Sequence, residues 1–224
     1  MGVFAQVRRK RSALVGASIL TVSAVAITTM ALAYDGYPTV EADLNDGGVW
    51  LTKTSSLLVG HFNHQSAVLD GGLRTKGDDY DIAQAGRTVL VVDGSNATVT
   101  AVDPAQVKLL GSANIPGGAS VSLGADTVAI LEPKDGALWV TDVDSIESFN
   151  AAAIDPITTL GKGAVATVGT DGTVYAASPE QRELVEVAMS PQRKPLDPTR
   201  SGLDIAEGAA LAISAIGDRA IVLD

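Results

Sequence analysis

The sequence predicts an all-β fold: β-propeller-like repeats of about 40 residues behind one N-terminal transmembrane helix. Three observations predict it. Hairpins of similar shape recur along the chain, as in "TVLVVDGSNATVTAVD", "TVAILEPKDGALWVTD", "AVATVGTDGTVYAAS" and "ALAISAIGDRAIVLD". No apolar pattern of helical period extends far beyond Tyr34. Before it, residues 12–34 carry no charge and directly follow a basic cluster.

The N-terminus comes first. Arg8, Arg9, Lys10 and Arg11 supply four positive charges to residues 1–11, which contain no acid. The run "SALVGASILTVSAVAITTMALAY" follows, and as a helix its 23 residues would extend about 34 Å, enough for a bilayer core of about 30 Å. Positive charge before it and acids after it fit an N-terminus held in the cytoplasm. The expected layout is a cytoplasmic basic segment (1–11), a signal anchor (12–34) and an extracytoplasmic body (35–224). The alternative is a leader cleaved after Ala33, since "ALA" is a small-x-small site.

Each hairpin is argued from its turn and from the β-branched residues that flank it. Asp-Gly between apolar runs is a hairpin signal, because glycine tolerates positive φ. On this basis strands are expected at 39–44 with 49–53, 88–92 with 98–102, 127–132 with 137–141, 164–168 with 173–177, and 210–214 with 219–223. Their first strands begin about 49, 39, 37 and 46 residues apart, and further apolar runs, "QVKLLGSANI" and "ASVSLG", lie between hairpins. One repeat is then four short strands, as in a propeller blade. A β-sandwich also consists of short strands with regular turns and is the alternative fold. The last strand, "RAIVLD", ends in mid-blade, so the body is expected to be a truncated, incomplete ring.

Composition excludes several functions. The chain has no cysteine, hence no disulfide, thiolate metal site or thiol nucleophile. Without the basic cluster, 12 basic and 26 acidic residues leave a charge of −14, which repels phosphate backbones and argues against nucleic acid as a partner.

Candidate chemistry is sparse. His61 and His64 form a His-x-x-His pair, but residues three apart on a strand point to opposite faces and zinc needs further ligands; they are read as solvated or capping histidines. Asp142, Asp144 and Glu147, like Asp78, Asp79 and Asp81, resemble part of a calcium loop without the glycine and spacing that such a loop requires. Ser55 and Ser56 lack a Gly-x-Ser-x-Gly setting. Asn96 begins a glycosylation sequon, "NAT", inside an expected turn. Trp50, Trp139 and Tyr175 follow Asp-Gly in related stretches and are read as packing residues rather than a sugar-binding face. No catalytic, cofactor-binding or metal residue is assigned, and no cofactor is expected.

The stretches "VEADLNDGGVWLTKTSSLLVGHFNHQ" and "YDIAQAGRTVLVVD", behind a basic N-terminus and one membrane segment, resemble the N-terminal region of actinobacterial membrane-anchored proteins with fibronectin type III or Ig-like domains. The resemblance covers residues 8–224 in layout, but its specific part is about 25 residues long. It implies an extracytoplasmic propeller-like region followed by fibronectin repeats. It also implies an envelope assembly beside a MoxR-type ATPase and a transglutaminase-like membrane protein. The sequence departs from that pattern in having no fibronectin module after the body, as expected of a fragment of a longer fibronectin type III domain-containing protein, and no catalytic residue carries over. The expected function is binding or scaffolding at the cell envelope. The bilayer contacts residues 12–34, and envelope proteins or cell-wall polysaccharide are the further partners. The alternative is an envelope polysaccharide hydrolase or its carbohydrate-binding accessory, motivated by the domains that accompany this family.

Overall fold

The structure, a computed structural model, describes residues 48–224 with the exception of Glu207. The expected membrane segment 12–34 and the expected strand 39–44 lie outside the described residues. No helix among the described residues is long and apolar enough to cross a membrane.

Among the described residues, seventeen strands form five antiparallel sheets that follow one another along the chain. The first contains β1 (Val49–Lys53), β2 (Leu58–Asn63) and β3 (Val68–Arg74). The second contains β4 (Tyr80–Ala85), β5 (Thr88–Asp93), β6 (Thr98–Asp103) and β7 (Lys108–Asn114). The third holds β8 (Ser120–Gly124), β9 (Thr127–Leu131), β10 (Ala137–Asp142) and the two-residue β11 (Thr158–Thr159). The fourth holds β12 (Val165–Val168), β13 (Val174–Ser178), β14 (Glu183–Val187) and β15 (Thr199–Gly202). A last hairpin pairs β16 (Ala212–Ile216) with β17 (Arg219–Leu223). Five consecutive sheets of up to four strands are a propeller-like arrangement, not the two facing sheets of a sandwich.

The period differs from the sequence-based estimate. First strands begin at residues 80, 120, 165 and 212, steps of 40, 45 and 47. The short 37-residue step expected from sequence arises because two unlike hairpins look alike. "TVAILEPKDGALWVTD" contributes the second and third strands of its sheet, whereas "AVATVGTDGTVYAAS" contributes the first and second. Val49–Lys53 likewise pairs onward with Leu58–Asn63, so "DGGVWLTK" begins a three-stranded meander.

A shared turn explains how the strands connect. After strand two or three the chain takes a five-residue turn whose first side chain accepts backbone N–H groups and whose fifth residue has positive φ. Asp103 Oδ1 accepts from the N–H of Ala105 (2.9 Å) and Gln106 (3.0 Å), and Val107 has φ 48°. Asn63 does the same for Gln65 and Ser66, with Ala67 at φ 53°. Glu132 serves Lys134 and Asp135, and the fifth residue there is Gly136 at φ 70°. Short polar side chains that satisfy their own turn make such loops self-contained.

Packing lies between sheets, and alternation divides each strand's side chains between two neighbours. Val89 and Val91 of β5 join Trp50 and Val59 of the first sheet, while Leu90 between them joins Val128 and Ile130 of the third. Ala129 and Leu131 of β9 turn the other way, onto Val174 and Ala176. Strands covered on both faces must be apolar along their length, and β9 "TVAIL" and β13 "VYAAS" are buried at every position.

Close approach fixes one glycine. A Cβ on Gly124, at the end of β8, would collide with the carbonyl oxygen of Gly169 in the fourth sheet. Only glycine lets those two backbones meet.

Candidate functional site

The hairpins β2–β3 and β6–β7 are copies of one design. Each carries the five-residue turn described above, and each contains a β-bulge, after His61 in the first and after Thr100 in the second. A bulge adds an unpaired residue and re-aims its side chain. In the first hairpin His61 pairs with Gly71 and Phe62 with Leu69, so Asp70 is the extra residue.

Asp70 is thereby brought onto the side of His61. Its Oδ1 lies 2.5 Å from His61 Nδ1, and its Oδ2 accepts from Asn63 Nδ2 at 2.9 Å. The Asn63 and His61 bonds hold the Asp70 carboxyl below the usual carboxylate range. The His61 ring sits 5.2 Å from the Trp50 indole, centroid to centroid, at an interplanar angle of 47°. His61 is therefore a partnered histidine with a side-chain exposure of 14%, and the solvated or capping reading is corrected for it. His64 stays in the exposed turn, so the two histidines do not converge.

Five of the six acids in the two clusters have protein partners for their carboxylates. Asp142 caps the 3-10 segment Val143–Ser148 by accepting from the Asp144 N–H. Arg193 places its guanidinium among three carboxylates, 2.7 Å from Asp144 Oδ2, 3.1 Å from Asp126 Oδ2 and 3.6 Å from Asp142 Oδ1. Glu147 is drawn elsewhere and accepts from the Gly111 N–H at the second bulge. Asp78 accepts from Ser95 Oγ, and Asp81 from the Ile82 N–H. Among the described residues no group of three or more His, Asp or Glu is placed to hold a metal ion.

The aromatic residues are packed between sheets. Trp50 and Trp139 lie in two different inter-sheet cores, and the Trp139 indole N–H donates to the Ile154 carbonyl at 2.8 Å. Tyr175 is 3% exposed, and burial pushes its phenol above the usual tyrosine range. None of the three forms an open sugar platform. Asn96 donates through its backbone and its side chain to Asp93, as a turn asparagine does.

A cleft remains that sequence reading did not find. It has a volume of about 390 Å³ and lies on the face of the second sheet that turns toward the first, beside Thr75 and Lys76. Thr98, Thr100 and Ser112 line it with hydroxyls, and the Thr100 and Ser112 oxygens are 2.8 Å apart. Its rim is tied down: Gly94 N–H donates to the Asp79 carbonyl and Asp79 N–H to Ser95 Oγ. Threonine and serine are ordinary strand residues, so "TVTAVD" carries no local sign of a site. The sign lies in comparison between sheets. Thr100 pairs with Val91 where Trp139 pairs with Ile130 and Val185 with Ala176.

No family model matches the chain, and no curated protein matches it. Solved structures do. The dihydro-heme d1 dehydrogenase NirN, in complex with DHE, is similar at a TM-score of 0.56 and 14% identity, over 81% of this chain and 39% of that one. BamB from Moraxella catarrhalis gives a TM-score of 0.49 at 10% identity, over 78% of this chain and 52% of its own. A selenomethionine-substituted virginiamycin B lyase from Staphylococcus aureus gives 0.49 at 16% identity, over 76% and 57%. The chain thus spans about two fifths of NirN's length. At such identity the likeness shows the fold alone, and NirN is a β-propeller protein.

Proposed function

We propose that the protein is a membrane-anchored, extracytoplasmic binding or scaffold protein of the cell envelope. The carrying observation is the uncharged run of residues 12–34, preceded by four positive charges and followed by a body of charge −14. A single apolar helix with basic residues on one side is inserted with that side in the cytoplasm. The resemblance to the N-terminal region of membrane-anchored fibronectin type III proteins supports the same location.

In this reading the sheets are consecutive blades of a ring that this region does not close. Val49 and Leu51 on the first sheet and Ile216, Ile221 and Leu223 on the last hairpin are exposed apolar residues. They are the faces that neighbouring blades would cover, as Val89 and Leu90 are covered within the body. A rigid stack of sheets presents turns without needing covalent chemistry, which suits binding.

Fractionation of cells expressing the full chain tests the location. The protein is expected in the membrane fraction after a high-salt wash, with its C-terminal body digested by protease added to cells opened only at the outer surface. Recovery in the cytosol overturns the proposal. N-terminal sequencing of the exported chain separates an anchor from a leader removed after Ala33.

A further inference from the structure

We infer that the cleft on the second sheet binds a neutral, polyhydroxylated ligand of saccharide class. This inference rests on the reading of the body as a binding module, and it holds whether or not the chain stays anchored.

The cleft is lined by polar side chains where the third and fourth sheets put apolar ones. The third sheet places Trp139 at the position of Thr100, packed with Ile146 and Phe149, and the fourth places Val185, which is fully buried. In the second sheet the same position holds Thr100, a residue 8% exposed whose hydroxyl is paired with that of Ser112. The cleft volume of about 390 Å³ falls in the range of about 300–1,000 Å³ found for small-ligand sites.

The lining selects the ligand class. Hydroxyls of Thr98, Thr100 and Ser112 both donate and accept, as do the hydroxyls of a sugar. Val91, Leu109 and Leu110 supply the larger, apolar part of the lining, suited to the C–H face of a pyranose ring. Asp93 lies in the cleft, but both its oxygens are already engaged by Asn96, so it contributes charge more than a vacant acceptor. Lys76 offsets that charge. With Asp78 and Asp79 following Lys76 on the same connection, an anion would meet repulsion. Asp78 and Asp79 attract a cation only as exposed, salt-screened charges, and the one carboxylate in the lining, Asp93, already has both oxygens bonded by Asn96, so a cation finds no vacant ligand there. A neutral ligand matches both facts.

The test uses the full-length chain in detergent micelles and saturation-transfer NMR with glucose, mannose and N-acetylglucosamine, with citrate and spermidine as charged probes. At least one of the sugars is expected to bind at millimolar concentration. Thr98→Val and Ser112→Ala each remove one hydroxyl and are expected to weaken binding about three- to tenfold. Thr100→Trp, which copies the third sheet, is expected to abolish it. Should Thr100→Trp misfold, the two hydroxyl variants decide alone. The inference is overturned if none of the three sugars binds, if only citrate or spermidine binds, or if sugar binding is indifferent to these changes. Fractionation reads location separately, so failure of binding and failure of anchoring are distinguishable.

Discussion

Asp70 accepts from His61 Nδ1 at 2.5 Å because a bulge in β3 turns its carboxylate onto the histidine's side. At the equivalent place in the second sheet the bulge carries no such pair, since Ala101 and Leu110 occupy β6 and β7 there. The first hairpin is thus a copy of the second with one ionic feature added.

The Asp70 carboxyl titrates below the usual carboxylate range, with the Asn63 bond as the largest cause and His61 next. A group whose pKa is depressed on folding contributes stability that is present above its unfolded pKa and lost as pH falls through the folded value. NMR titration should therefore find the Asp70 midpoint below about 3.9. Asn63→Ala should move it up. A midpoint unchanged by that substitution would show that Asn63 does not set it.

Tyr175 gives the opposite limb. Burial, then the charges of Glu186, Asp171 and Asp218, raise its phenol. A raised folded pKa disfavours the folded state as pH rises past the ordinary tyrosine value, about 10. Denaturant melts should show stability falling in that range, and Tyr175→Phe should flatten the fall. An identical alkaline limb in the variant would refute the assignment.

Ile130, fully buried in the core between the second and third sheets, should cost about 2–5 kcal/mol when changed to alanine. Leu223, 64% exposed, should cost less than about 0.5 kcal/mol for the same change. Chemical denaturation compares them directly. Equal losses would mean that the inter-sheet faces do not carry the stability.

Gly124→Ala should destabilise by about 1–3 kcal/mol, because the new methyl meets the Gly169 carbonyl, which cannot swing aside. Gly117→Ala is the control, since nothing lies within 4 Å of a Cβ there. Thermal melts that rank the two variants alike would count against a tight approach of the third and fourth sheets.

Arg193→Ala removes the cation that lies among Asp126, Asp142 and Asp144. The Arg193 side chain is 53% exposed, so the loss should be only about 0.2–1 kcal/mol. Added salt should shrink it by screening the remaining carboxylates. A salt-independent loss would point to lost packing by the arginine stem instead.

Much of the strand pattern was legible locally. The hairpins 88–92 with 98–102 and 127–132 with 137–141 reappear within a residue or two as β5–β6 and β9–β10. Runs such as "TVLVV" and "TVAIL" combine β-branched residues with clear turn signals, and both faces of each are buried. Blade position was not legible. "DGALWVTD" and "DGTVYAAS" share residues because tight turns and half-buried strands have the same local needs wherever they fall. One supplies a third strand and the other a second.

The all-β character, the bounds of about half of the strands, the lack of thiol chemistry and the acidic body can be read from the chain alone. These follow from local propensity, alternation and composition, which need no knowledge of neighbours. Folding settles which faces meet, why Asp70 reaches His61, how Arg193 lies among acids up to 67 residues away, and where the cleft on the second sheet opens. Those are contacts between residues far apart in the chain. Their partners are set by sheet stacking and bulge register, not by any short stretch of sequence.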